Sequence, residues 1–145
     1  MPKLDLDAIA EISRTGYLEP YRKAVEGRRW KPLADGLGDF GVNLVTLAPG
    51  AASSQRHWHT EEDELVYMLE GEVVLIEDDG ETILRAGDVA AWPKGVANGH
   101  QLVNRSDAEC RFLAIGSDKP DVDACHYPDI DQFYSARTGF TPKPR

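Results

Sequence analysis

Positive charge and sulfur are both scarce in this sequence. Lys and Arg total 16 against 25 Asp and Glu, a formal net charge of −9. An excess of negative charge that size repels phosphate backbones and anionic membrane surfaces, which argues against nucleic acid or membrane as a partner. Two cysteines, Cys110 and Cys125, supply no disulfide framework and no CxxC spacing. Long apolar runs are missing too. Runs such as residues 73–76 and 89–92 fall far short of the ~20 residues a spanning helix needs. The first residues, MPKLDLDAIAEISRTG, carry acid where a secretory signal needs a continuous apolar core. Together these features predict a protein of the reducing cytoplasm. Histidine is equally sparse, with four in the chain, yet three of them fall in two short segments.

What is present reads as one domain. The chain has 145 residues, 41% hydrophobic and 28% charged, an ordinary globular balance. Residues 1–35 form an arm in which the mixed spacing of Leu4, Leu6, Ile9 and Ile12 predicts a short helix over residues 5–13. The basic cluster Gly27-Arg28-Arg29-Trp30-Lys31 is read as a solvated loop, or a strand near a subunit contact. Residues 36–117 change character. Short apolar stretches at 40–48, 53–58, 65–69, 73–77, 82–85, 89–92, 100–103 and 110–115 alternate with Gly and Pro, and Asp79-Gly80 marks a tight hairpin. About eight short strands at close spacing predict an all-β sandwich or barrel. Residues 118–145 form an acidic, proline-containing tail expected to wrap the barrel or reach a partner subunit.

The chemistry concentrates in His57-Trp58-His59. Residues two apart on a strand share a face, so the two imidazoles project together. Glu64 opens the next apolar strand after a polar turn, and a hairpin of that length returns its carboxylate to the imidazoles. Two neutral imidazoles and a carboxylate suit divalent Fe, Mn, Ni, Zn or Cu. His100 begins a strand after the turn at Pro93 and Gly95. It would complete a set of three His and one carboxylate with positions left open for water or substrate.

In order and punctuation these residues resemble the two motifs of the cupin superfamily. The first reads Gly50, His57, His59, Glu64, Gly71, and the second Gly87, Pro93, Gly95, His100, Asn104. The spacing from Gly50 to His57 is one residue longer than the family pattern, and that from Gly95 to His100 two longer. Both insertions fall in turns and leave the strand registers intact. The resemblance covers residues 40–116, and the flanks resemble those of small bacterial single-domain cupins. It implies a single cupin β-barrel (a double-stranded β-helix, or jelly roll). It also implies one divalent transition metal per subunit, Fe, Mn, Zn or Ni, held by His57, His59, Glu64 and His100.

Strand parity carries further residues inward. Gln55 goes with the two histidines as a polar neighbour of the metal or its ligand, while Val66, Met68 and Leu102 give an apolar wall that suits a small organic molecule or dioxygen. Trp58, Arg56 and Tyr67 point outward, and Trp92 caps the core. No cation is placed to grip a substrate carboxylate, and Lys94 is read as exposed. His126, near Asp129 and Asp131, is read as structural, and Tyr127 as an acid only if it lines the pocket. The leading expectation is a mononuclear metalloenzyme acting on a small organic molecule, with a lean toward a dioxygenase. The alternative is a module that binds or senses a small molecule without turnover. Outward aromatic and apolar residues predict a homodimer.

Overall fold

Alternation between apolar and polar side chains organises the middle of the chain into antiparallel sheets. The computed structural model describes residues 3–145. After a 3-10 turn at Tyr21–Val25, strand β1 (Arg28–Pro32) pairs with β2 (Phe40–Leu47). A two-residue strand, β3 (Trp58–His59), precedes β4 (Glu64–Glu70) and β5 (Glu72–Glu77), which follow one another in sequence but enter different sheets. Then follow β6 (Gly80–Arg85), β7 (Val89–Trp92), β8 (Gln101–Val103) and β9 (Cys110–Ser117). The tail adds β10 (Ala124–His126), β11 (Phe133–Ser135) and β12 (Gly139–Thr141). The sheets run β1-β2-β9-β4-β7, β6-β5-β8 and β12-β11-β10-β3. This is an all-β barrel, and no helix of the described residues is long and apolar enough to cross a membrane.

Strand β4 shows the pattern at work. Val66 and Met68 are buried (Met68 fully), whereas Tyr67 and Leu69 stand 41% and 44% exposed. With Phe112, Leu47 and Val73 they fill the space between the sheets. Gly71 turns the chain into β5 at φ +75°, and a Cβ there would lie 2.9 Å from that of Cys110. Positive φ and close approach together require glycine at this turn.

The ends of the chain differ from their expected form. The helix expected over residues 5–13 is only a 3-10 turn at Leu6–Ala8. Leu4 and Leu6 remain exposed, so no apolar face is buried to offset the cost of nucleating a helix. The strand expected over residues 53–58 shrinks to isolated bridges at Ala52 and His57 ahead of β3. The tail does wrap the barrel, but as strands: Cys125 and His126 of β10 pair with His59 and Trp58 of β3. A second apolar cluster, Tyr17, Val25, Cys125 and Tyr127, joins arm to tail. Cys110 and Cys125 are both free thiols.

Candidate metal centre

The backbone sets three imidazoles around one carboxylate. His57 and His100 face each other as an antiparallel bridge, exchanging N–H···O bonds of 3.2 and 3.0 Å. The longer turns before them therefore leave this register intact. His59 follows on β3, and Glu64 opens β4 opposite Trp92 and Gly116.

Each ring is held by its Nδ1. That of His57 lies 2.8 Å from the Gln55 carbonyl, that of His100 lies 3.0 Å from the Asn98 carbonyl, and that of His59 lies 2.6 Å from Asp123 Oδ2. An acceptor at Nδ1 puts the proton there and turns the Nε2 lone pair to the opposite side of the ring. All three Nε2 atoms converge on Glu64. His57 is at 3.7 Å and His59 at 3.2 Å from its Oε1, and His100 is hydrogen-bonded to its Oε2. Ligand atoms of His57, His59 and Glu64 lie within 4.8 Å of one another. Three imidazole nitrogens and one carboxylate, each oriented from behind, fit a divalent transition ion.

The electrostatics agree with that fit. Burial opposes ionisation of Glu64, but the hydrogen bond from His100 and the close approach of the His57 and His59 imidazoles outweigh it and hold the carboxyl well below its usual range. Burial also opposes a charged His59, yet contacts with Cys125 and Glu64 push its pKa up to about 12. A cation among the Nε2 atoms competes with that proton, so binding releases it. On the Nδ1 side, Asp123 and Cys125 form with His59 a second group of potential ligands.

Packing fixes the remaining ring. Trp92 is buried and stacks on His100 with centroids 3.9 Å apart and planes 5° from parallel. Its Nε1 donates to Glu77 Oε2 (3.1 Å), and Asn98 Nδ2 donates to the same oxygen (2.7 Å). Glu77 therefore steadies both the indole over His100 and the residue whose carbonyl holds His100 Nδ1.

Two cavities meet at the centre. One, of about 330 Å³, is lined by Arg28, Ser53, His57, His100 and Gln101 among others. The other, of about 240 Å³, is lined by His59, Glu62 and Ser117 among others. Asn43, Glu64, Val66 and Ala114 face both, so the ligand cluster stands between them.

Several sequence expectations change here. Gln55 does not reach the centre: its Nε2 donates to the Tyr21 carbonyl (3.0 Å), and its backbone carbonyl is what serves His57. The chain is bent over residues 53–56, so strand parity does not extend from His57 back to Gln55. Val66 and Leu102 line the larger cavity, whereas Met68 is core. Trp58 stacks on His126 of the tail (4.4 Å, 15°), which makes His126 structural and covers Trp58 from within the chain. Arg56 points outward but clamps Asp129, Asp78 and the Gly99 carbonyl. Lys94 is exposed, 3.8 Å from Glu61. Tyr127 packs at 5.7 Å from the His57 ring, among the arm and tail aromatics. The expectation that no cation reaches the pocket fails, because Arg28 lines it. Asp123 and Arg28 escaped sequence reasoning; the basic cluster was visible, but nothing local marks which of its side chains turns inward.

Comparison with known proteins follows from this geometry. The family model described as a cupin domain matches residues 43–116. A sugar phosphate isomerase of the cupin superfamily from Silicibacter pomeroyi is 44% identical, with a TM-score of 0.91, over 99% of this chain and 93% of that one. A protein from Acidithiobacillus ferrooxidans, provisionally called a sugar phosphate isomerase, is 29% identical with a TM-score of 0.72, over 79% and 74% of the two chains. The polyketide cyclase RemF from Streptomyces resistomycificus shares the fold at 19% identity and a TM-score of 0.69, over 82% and 80%. No curated protein matches the sequence. The residue-level site, the barrel around it and the matched domain agree: this chain belongs to the cupin family.

Proposed function

We propose that this protein is a metal-dependent enzyme that isomerises a small phosphorylated sugar. The observation that carries the reading is the convergence of His57, His59, His100 and Glu64 at a cavity whose wall is mixed rather than purely apolar. Val66, Leu102 and Phe112 supply its apolar side, while Asn43, Ser53, Ser54 and Gln101 supply donors and acceptors suited to a polyhydroxy chain. About 330 Å³ accommodates a small sugar derivative. The likeness to the Silicibacter pomeroyi sugar phosphate isomerase supports the same class of substrate.

A divalent ion at this site would act as a Lewis acid on the substrate's carbonyl and neighbouring hydroxyl. The chain's own part is to hold and aim. The Gln55 and Asn98 carbonyls and Asp123 fix the three tautomers, and Trp92 fixes the His100 plane. Isomerisation moves hydrogen within one molecule and needs no oxidant, so the dioxygenase lean gives way to it.

The test is to incubate metal-loaded protein with a panel of aldose and ketose phosphates and follow interconversion by NMR. Interconversion that disappears in His57→Ala supports the proposal. Oxygen uptake with Fe(II) and no interconversion would return the reading to a dioxygenase. Tight binding without turnover would favour the sensing module.

A further inference from the structure

Arg28 is a cation that the fold encloses without a counter-ion. In a chain with 25 acidic residues, arginines readily find carboxylates: Arg29 pairs with Glu109 and Glu11, Arg56 with Asp129 and Asp78, and Arg105 with Glu81. Arg28 pairs with none among the described residues. Its two hydrogen bonds go to backbone carbonyls, Nη1 to Ser53 (2.8 Å) and Nη2 to Arg14 (3.3 Å). Its buried Nε–H has no acceptor. A guanidinium carries five N–H donors, so most of its donor capacity is unspent.

Its position gives that unspent capacity a use. Arg28 lines the cavity that also receives His57, His100 and Glu64, and it is the only cationic side chain among the residues lining it. Glu64 is the only carboxylate lining the cavity, and the three imidazoles already engage it. The Trp30 ring lies 4.8 Å from the guanidinium carbon and holds it from one face. Burial lowers the Arg28 pKa, the direction expected for a charge that lacks a partner. An uncompensated cation in a cavity wall is costly until an anion arrives. The planar fork of N–H groups matches phosphate oxygens.

We infer that Arg28 holds the anionic end of the substrate, so that the cavity takes a small phosphomonoester with its carbonyl end toward His57, His100 and Glu64. This rests on the isomerase reading for the choice of phosphate, since a carboxylate presents similar oxygens. Ser53 and Ser54 line the same cavity and are available to share the phosphate oxygens. In this role Arg28 sets specificity and leaves the ligand cluster intact.

The experiment is calorimetric titration of metal-free protein with a sugar phosphate, the same sugar without phosphate, and the corresponding sugar acid. Wild type is expected to prefer the phosphate over the free sugar by about 10- to 100-fold, the worth of hydrogen bonds to a charged group. Arg28→Gln should abolish that preference while leaving affinity for the free sugar unchanged, and Arg28→Lys should keep part of it. Thermal melting of each variant checks that it folds. If Arg28→Gln does not fold, the wild-type preference and its reduction in Arg28→Lys decide. An absent wild-type preference, an undiminished preference in Arg28→Gln or Arg28→Lys, or tighter binding of the sugar acid would overturn the inference. Failure of the isomerase reading looks different: the phosphate preference would remain, but no interconversion would be seen.

Discussion

Replacing Asp123 separates two things that most substitutions confound, the stability of the tail and the chemistry of His59. The carboxylate is 7% exposed and accepts from His59 Nδ1 at 2.6 Å and from the Glu61 amide at 2.9 Å. Asp123→Ala takes the acceptor from both donors, leaving His59 Nδ1 only the weaker Cys125 Sγ at 3.4 Å. At about 1–3 kcal/mol for each lost acceptor, the loss of stability is about 2–6 kcal/mol. Loss of a group that orients a ligating histidine lowers metal affinity by about 10- to 100-fold. Asp123→Asn behaves differently. Its carbonyl oxygen continues to accept from the Glu61 amide, which cannot change its donor character, so less stability is lost. Its NH₂ then faces His59 Nδ1, which must give up its proton and move it to Nε2, where the metal binds. Asp123→Asn should therefore be the more stable variant and the weaker metal binder. Urea unfolding measures the first quantity, and competition for Zn(II) against a chromophoric chelator measures the second. Near wild-type metal affinity in Asp123→Asn would refute the assignment of the His59 tautomer and of Asp123 as its orienting group.

Other perturbations probe the frame around the site. Arg56→Met breaks the clamp joining the turn after β5 to the tail and should cost about 2 kcal/mol, the scale of hydrogen bonds between charged groups. Hydrogen bonding to Arg56 holds the Asp129 carboxyl below its usual range. The stability it contributes is thus present above the unfolded aspartate pKa near ~3.9 and lost as pH falls through the folded value. Acid titration of the melting temperature should be shallower in Arg56→Met, and an unchanged profile would count against the clamp. Asn104 is fully buried, with its amide donating to the Leu47 and Ala108 carbonyls at 3.0 and 2.8 Å. Asn104→Asp sets an acceptor against two acceptors and should lower stability by about 2–4 kcal/mol in denaturant unfolding; less than about 1 kcal/mol would contradict this. Phe40, Leu69, Ile83 and Val89 stand exposed, consistent with a homodimer. Light scattering should give twice the 16.0 kDa chain mass, and a 16.0 kDa species at micromolar concentration would contradict it.

The barrel was legible because its strands alternate. Residues 89–92 form β7 as expected, and β4 buries Val66 and Met68 while exposing Tyr67 and Leu69. The meeting of His57, His59, His100 and Glu64 was legible because the first two histidines lie two apart and Gly and Pro mark the turns on either side. What sequence reading missed lies in long-range pairings. β10 has three residues, too few to show alternation, and it becomes a strand by pairing with β3 on one side and β11 on the other. That pairing delivers Asp123 to His59 from a position 64 residues away. Arg28 turned inward for a comparable reason. β1 pairs with β2 in a register fixed by tertiary contact, and Ser53 bends to present its carbonyl to the guanidinium. Gln55 erred in the opposite direction: strand parity was extended from His57 back to Gln55, within residues 53–56 where the chain is bent.

The central claim is that the three Nε2 atoms and Glu64 form one metal centre. Anomalous diffraction from a crystal of metal-loaded protein tests it most directly. One peak is expected, bonded to the Nε2 atoms of His57, His59 and His100 and to the Glu64 carboxylate, at about 2.0–2.2 Å. No peak in the barrel, or a peak on the opposite side of His59 between Asp123 and Cys125, would contradict it.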